Sequence, residues 1–336
     1  MEGKSMANLF ISTRTKKGDR FGTEPGPVRY LFVPERAREP LPKHQVTKSE
    51  WRKSAVTEST VEMVDGLPCG ATLFFVHGYN NDPEVVQERH NLLRQQLGKV
   101  GYKGSVISFD WPSADSALNY LEDRSDAKMS ALHLVSGGIQ LFTDLLQQDC
   151  RINVNLLAHS TGAYVVREAF DDADDRASIA NVNWTVSQVC LIAADVSAGS
   201  FESGHAKTSS LNRHSVRITN YSNPFDSVLK LSNAKRIGLS PRLGRVGLPG
   251  DAWSKCVDVN CGAHWSSLEE SDNRAPGTFS HSWHFGDELF ARDLHLTLNG
   301  DIDRHSIPTR HVGIDGALHL GAGVLPTAPL VPAQPQ

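Results

Sequence analysis

No run in this 336-residue chain stays apolar for the roughly 18 residues that a membrane-crossing helix needs, which excludes an ordinary helical span. The first twenty residues, MEGKSMANLFISTRTKKGDR, lack the apolar core and small-residue cleavage site of a secretory signal, so the expectation is a cytoplasmic protein. Charge of one sign is also missing. Lys and Arg number 34 against 38 Asp and Glu, for a net charge of −4, which argues against nucleic acid as a partner. The short basic stretches Lys16-Lys17 and Arg236–Arg245 read as solvated faces. Cysteine is scarce and odd in number: Cys69, Cys150, Cys190, Cys256 and Cys261 fit no zinc spacing. Cys256 and Cys261 flank an apparent strand, CVDVNC, that would hold them beyond disulfide reach. All five read as reduced thiols, and no metal or organic cofactor is expected.

What is present suits a globular enzyme, with 39% apolar and 21% charged residues. Strand and helix patterns alternate. ANLFIST and VRYLFVP read as strands around a turn-rich RFGTEPGP, and residues 34–66 as polar surface structure. ATLFFV is a buried strand. Asp82-Pro83-Glu84 opens a helix that runs to about Gly98. SVISFD, INVNLLAHS, QVCLIAADV, SVRITNYSN and CVDVNC supply further strands. A helical region of about 114–148 is expected to break at Gly137-Gly138, and DELFARDLHLTLNG is a late helix with a glycine cap. The alternation predicts a single α/β domain over 8–316, a mainly parallel sheet with helices on both faces. Segments 199–214 and 232–254 are long enough to be lids or binding loops, and 317–336, rich in Pro and Ala, is expected to be a disordered tail. Right-handed crossovers gather the loops His77–Asp82, Asp110–Ser113, Ala158–Gly162, Asp195–Gly199 and Asn223–Asp226 at one sheet edge, where ligands bind.

Three serines sit among small residues. Ser136 lies in a helical pattern, and Ser197 follows a strand but precedes no apolar helix. Only Ser160, in RINVNLLAHSTGAYVVREAF, has strand before and helix after. That context forces a sharp turn that exposes a hydroxyl at a helix N-terminus, the setting of a nucleophile. A nucleophilic serine needs a base and a group to orient it, in the chain order serine, acid, histidine. Asp226 ends a strand and is the first candidate acid; its bland alternative is capping the following helix. Asp195 is the second. Among 14 histidines, His264, His281 and His284 follow the last strand, and His281 in FSHSWHFGDELF is preferred. Backbone N–H groups of Thr161 and Tyr79 are the expected oxyanion donors, the latter in a loop that Gly78 keeps open. His77, Gly78, Trp111, His159, Asp195 and Trp283 are candidates for substrate contact, and Tyr79, Tyr221 and Phe225 also fall near the edge.

The ordered set FVHGYNN, FDWPS, LLAHSTG, ADVSAG, YSNPFDSVLKLS and SHSWHF resembles a bacterial α/β-hydrolase family of uncharacterised esterase/lipase-like enzymes, from about Asn8 to Leu298. There the segments read approximately HGYNN, FSWPS, AHSMG, APDVD, SSNDRAL and GHSYF. The resemblance implies Ser160 as nucleophile, Asp226 as acid, His281 as base and Asp195 as an acidic neighbour. Ala158 stands where the general elbow has glycine, and Ser280 where the family has glycine before the histidine. The implied activity is hydrolysis of an ester or related acyl bond in a small-molecule substrate. The same triad would serve acyl transfer, and a non-catalytic binding module is the reading outside enzymes.

Overall fold

Val76 and Ala158 lie side by side near the centre of a parallel sheet, and the route by which the chain reaches them positions the site. The computed structural model describes residues 7–79, 81–113, 130–131, 133–139, 151–176, 184–234, 241–272 and 274–321. The strands are β1 (Ala7–Lys17), β2 (Arg20–Pro34), β3 (Gln45–Val46), β4 (Thr60–Val64), β5 (Leu67–Val76), β6 (Ser105–Asp110), β7 (Arg151–His159), β8 (Val186–Ile192), β9 (Ser215–Ser222), β10 (Cys256–Asn260), β11 (Arg310–Val312) and β12 (Leu318–Leu320). Among the described residues they make one sheet in the order β11-β12-β10-β9-β8-β7-β5-β6-β1-β2-β3, with β4 paired to β5. Neighbours from β12 across to β1 run parallel. From β5 the chain steps to β6 on one side and then crosses back to β7 on the other. This reversal opens a crevice beyond the C-terminal ends of β5 and β7.

The central strands are covered on both faces. Along β5, Phe74 and Val76 face one core and Leu73 and Phe75 the other, in the two-residue period of a strand. On the first face pack α1 (Lys48–Ser59), through Trp51 and Ala55, and α3 (Gly162–Asp174), through Val165, Val166, Ala169 and Phe170. On the second face α2 (Pro83–Lys99) contributes Leu93 and Leu97, and α6 (Glu288–Asn299) contributes Phe290, Leu294 and Leu298. Each of the Val, Leu and Phe side chains among them, fully buried, stabilises the fold by about 1.5–3 kcal/mol. Two shorter helices, α4 (Ala206–Arg213) and α5 (Ser227–Ala234), flank β9.

Helix ends follow the sequence signals. Asp82 Oδ1 accepts the Val85 N–H at 2.9 Å with Pro83 in the first turn. Asp287 Oδ1 accepts the Phe290 N–H, and Gly300 ends α6 at φ 71°. Gly137 and Gly138 sit in a π-helical turn, Leu134–Ile139, a widened turn where a break is expected. The rest of the 114–148 region, apart from 130–131 and 133, lies outside the described residues, as does Cys150.

Four expectations change. RFGTEPGP is not a turn: the chain reverses at Gly18-Asp19, and β2 runs unbroken from Arg20 to Pro34. Beyond its short pairing with β3, the outer edge of β2 has no strand partner among the described residues, so Pro25 and Pro27 cost no ladder bond there. Residues 34–66 hold α1, started by a Thr47/Glu50 capping box. Segment 199–214 is folded onto the body: Thr208 Oγ1 donates to Ser200 O at 2.6 Å, and the Trp253 indole donates to Thr208 Oγ1 at 3.0 Å. Of the second lid-like segment, 235–240 lie outside the described residues. Finally, the ordered chain passes residue 316. Leu318 and Leu320 are buried, and β12 pairs with β10, so the start of the expected tail is sheet. Residues 322–336 lie outside the described residues. Among the described residues no helix is long and apolar enough to cross a membrane.

Candidate active site

Ser160 follows β7 directly, at the crevice, with φ 56°, a left-handed conformation that a residue with a side chain rarely adopts. Surrounding bonds hold it there. Its N–H donates to Ile192 O at 3.0 Å, and its carbonyl accepts from Asp195 N at 3.1 Å and Ala163 N at 3.1 Å. The turn also needs glycines on either side. A Cβ on Gly162 would come within 2.3 Å of Val76 O, and one on Gly78 within 2.7 Å of the Ser160 Cβ. Thr161 is the N-cap of α3, so the first N–H groups of that helix have no intrahelical carbonyl and its positive end faces the serine. Ser197 has no comparable geometry, being extended at φ −64° and ψ 128°.

The structure brings Asp226 and His281 together. His281 Nδ1 lies 2.7 Å from Asp226 Oδ2. An ionised carboxylate only accepts, so Nδ1 carries the proton and Nε2 is left with a lone pair. Asp226 also caps α5, because its other oxygen, Oδ1, accepts the Leu229 N–H at 2.9 Å. The capping role and the histidine pairing, alternatives in the sequence, are both occupied by one side chain. Ser280 stitches the two loops: its Oγ lies 2.9 Å from Ser227 Oγ and accepts the Ser227 N–H at 3.2 Å, while its carbonyl accepts from Asn223 Nδ2 at 3.1 Å. The departure from glycine at 280 is thus a structural tie between the loops that carry Asp226 and His281.

His159 links the His281 loop to Ser160. It precedes Ser160 in the chain, and its Nε2 donates to the His281 carbonyl at 2.9 Å, with the two rings 4.8 Å apart. Burial first, then Arg89 and His281, hold its pKa well below the ordinary histidine value, so the ring is neutral. Asp195 has other partners than His281. Its carboxylate pairs with Arg242 at 3.0 Å and accepts from Ser232 Oγ at 3.1 Å, and its backbone N–H supports the Ser160 turn. His264 pairs with Asp287 at 3.0 Å, and His284 is buried against Trp283 and Phe290.

The loop after β5 is pinned from several directions. His77 Nε2 accepts the Trp111 N–H at 3.1 Å, which leaves Nδ1 to donate to Gly78 O at 2.8 Å. Asn81 Nδ2 donates to the same Gly78 carbonyl at 2.7 Å. Arg14 Nη2 donates to Asn81 O at 2.7 Å while Arg14 Nε pairs with Asp110 Oδ1 at 2.7 Å. Burial opposes ionisation of Asp110, but the Arg14 guanidinium beside it outweighs that and holds the carboxyl down at about 2. Arg89 donates to Asn81 Oδ1 at 2.8 Å, Pro276 O at 2.9 Å and Ser282 Oγ at 3.0 Å. Tyr79 is half-buried in this loop, and Asn80 lies outside the described residues.

Three expected substrate contacts belong instead to the packed interior. Trp111 is fully buried, stacked on His77 at 5.4 Å, with its indole N–H donating to His77 O at 2.8 Å. That same pairing buries His77. Trp283 is buried among His284, Phe290 and His264. Tyr221 is buried too and donates to Asp293 at 2.7 Å, whereas Phe225 is exposed and stacks on Trp265 at 5.5 Å. The sequence reading missed Arg14, Arg89 and the part played by Asn81. Only Asn81 carried a local signal, as the last residue of the His-Gly-Tyr-Asn-Asn loop. The described residues include no group of three or more His, Cys, Asp or Glu arranged to hold a metal.

Residues 53–257 match the family described as alpha/beta hydrolase of unknown function, DUF900. The match takes in Ser160 and Asp226 and ends before His281. No curated protein matches. Among solved structures, the chain is similar to carboxyl esterase 2 from Tuber melanosporum at 11% identity, covering 88% of each chain with a TM-score of 0.39. A cutinase-like protein from Cryptococcus sp. aligns at 12% identity over 71% of this chain and 96% of its own, TM-score 0.35. A Trichoderma reesei cutinase, solved with a phosphonate inhibitor, aligns at 12% identity over 75% and 86%, TM-score 0.30.

Proposed function

The chain belongs to the DUF900 family of alpha/beta hydrolases, and from that premise we propose that it is a serine hydrolase that cleaves a carboxylic ester through an acyl-enzyme on Ser160. One observation carries the reading. A serine held at φ 56° after a strand stands next in chain to His159, whose ring binds the backbone of a histidine already paired with a buried aspartate.

In the proposed reaction His281 Nε2 takes the Ser160 proton as Oγ bonds to the acyl carbon. The carbonyl π pair moves onto oxygen, where the Thr161 and Tyr79 N–H groups stabilise it, each by on the order of 3 kcal/mol. The intermediate collapses, the ester C–O bond breaks, and His281 gives its proton to the leaving alkoxide. Water then adds to the acyl-enzyme with His281 as base, releasing the acid and restoring Ser160. Asp226 holds the imidazole tautomer and stabilises the imidazolium.

The test pairs wild type with Ser160→Ala, using short and medium p-nitrophenyl esters and a fluorophosphonate probe. Wild type is expected to turn over and label, and the variant to do neither. A variant that still labels would move the nucleophile to Ser197. A wild type inert in both assays would favour a binding module on a hydrolase fold.

A further inference from the structure

The proposed oxyanion donor on Tyr79 is only as well aimed as the peptide that carries it. The Gly78–Tyr79 peptide is trans and planar, so the direction of the Gly78 carbonyl fixes the opposite direction of the Tyr79 N–H. Two buried side chains hold that carbonyl: His77 Nδ1 at 2.8 Å and Asn81 Nδ2 at 2.7 Å. Asn81 is itself held. Its amide oxygen accepts from Arg89 Nη1 at 2.8 Å, which also settles which amide atom is oxygen and which is nitrogen. The other guanidinium nitrogen, Nη2, reaches Pro276 O at 2.9 Å and Ser282 Oγ at 3.0 Å, in the loop that carries His281.

We propose that Asn81 and Arg89 are positioning residues that form one relay, Arg89 to Asn81 to the Gly78 carbonyl, which aims the Tyr79 N–H and fixes the oxyanion loop against the His281 loop. The proposal rests on the serine-hydrolase reading above. Arg89 makes this link from inside the protein, only 4% exposed, with its guanidinium over the Phe285 ring at 5.2 Å. All three of its acceptors are neutral, and among the described residues it forms no ion pair. Burial lowers its pKa to about 10, still far above neutrality, so the group stays charged. A buried cation with no ion pair among the described residues is an expensive way to join two loops if stability alone is served, since an apolar side chain packs a core at less desolvation cost. A rigid fork with several donors, by contrast, suits a part that must hold three acceptors in fixed positions at once.

The discriminating variant is Asn81→Asp. It keeps the shape and the Arg89 contact and gives the guanidinium a counter-charge, yet it cannot donate to the Gly78 carbonyl. Arg89→Lys is the second variant, keeping the charge while losing the fork. Both are measured for kcat and KM on p-nitrophenyl acetate beside the thermal midpoint. The relay predicts that Asn81→Asp lowers kcat by about 10- to 100-fold, a displaced donor costing less than a deleted one, with KM little changed and no fall in thermal midpoint. Arg89→Lys should lower kcat in the same direction, and the double variant should lose less than the product of the two single losses, because both act on one contact. An active wild type whose Asn81→Asp and Arg89→Lys variants keep full kcat overturns the relay and leaves the triad standing. So does a loss that tracks only unfolding. A wild type that neither labels at Ser160 nor turns over overturns the serine-hydrolase reading and the relay with it.

Discussion

At the residue scale, the strain on Ser160 is a test in itself. A left-handed φ costs a residue with a Cβ about 1–2 kcal/mol, a cost glycine does not bear. Exposed helix positions favour alanine over glycine by about 1 kcal/mol. At position 160 the order should reverse. Ser160→Gly and Ser160→Ala both remove the hydroxyl and should both be inactive, but the glycine variant should be the more stable by about 1 kcal/mol, read from urea midpoints. Equal midpoints would mean that the turn is not held at φ 56° in solution. The glycines around it are fixed for a different reason, contact rather than torsion. Gly162 and Gly78 face the Val76 carbonyl and the Ser160 Cβ at distances no Cβ allows.

At the element scale, Asp226 does two jobs that substitution can separate. Asparagine is as good an N-cap as aspartate, but it cannot stabilise an imidazolium or hold the Nδ1–H tautomer in the same way. Asp226→Asn should therefore leave unfolding free energy close to wild type while lowering kcat by on the order of 10⁴. Asp226→Ala should lose activity and about 1 kcal/mol of stability besides, from the α5 cap. A stable Asp226→Asn enzyme with full activity would remove Asp226 from the triad. The same scale shows what was legible in the sequence. The C-terminal halves of β5, β7 and β8 are buried on both faces and read as the short apolar runs LFFV, LLA and VCLI, and the turn at Ser160 was legible from its flanking elements. Helix α1 was not found, because it buries only Trp51, Ala55 and Ser59 and reads as polar elsewhere. The relay was not found because Arg89 meets its partners at 8, 187 and 193 residues' separation, and the Arg14–Asp110 pair closes over 96. Single buried arginines leave no periodic trace. The burial of Trp111 and Trp283 was equally hidden, since an aromatic near a strand end fits a pocket wall and a packed interior alike.

At the scale of the whole molecule, the unusual feature is how many histidines are shut inside. Burial lowers the pKa of His90 to about 3 and, with neighbouring positive or titratable groups, holds His159 and His284 well below the ordinary value. Each is neutral in the folded protein and titrates near pH 6.5 once unfolded. The unfolded chain thus binds more protons below that pH, so stability is full above about pH 6.5 and is lost as pH falls. At pH 5.5 each such histidine costs on the order of 1 kcal/mol, so together they cost a few kcal/mol out of a typical total of about 5–15 kcal/mol. Asp258, raised by burial, works in the opposite sense, but near its own more acidic range. Urea midpoints at pH 7.5 and 5.5 measure the drop. His284 offers the cleanest control, because neither of its ring nitrogens has a hydrogen-bond partner among the described residues. His284→Leu should cost little at pH 7.5 and recover part of the loss at pH 5.5. A wild type equally stable at both pH values would mean that these rings gain protons without unfolding.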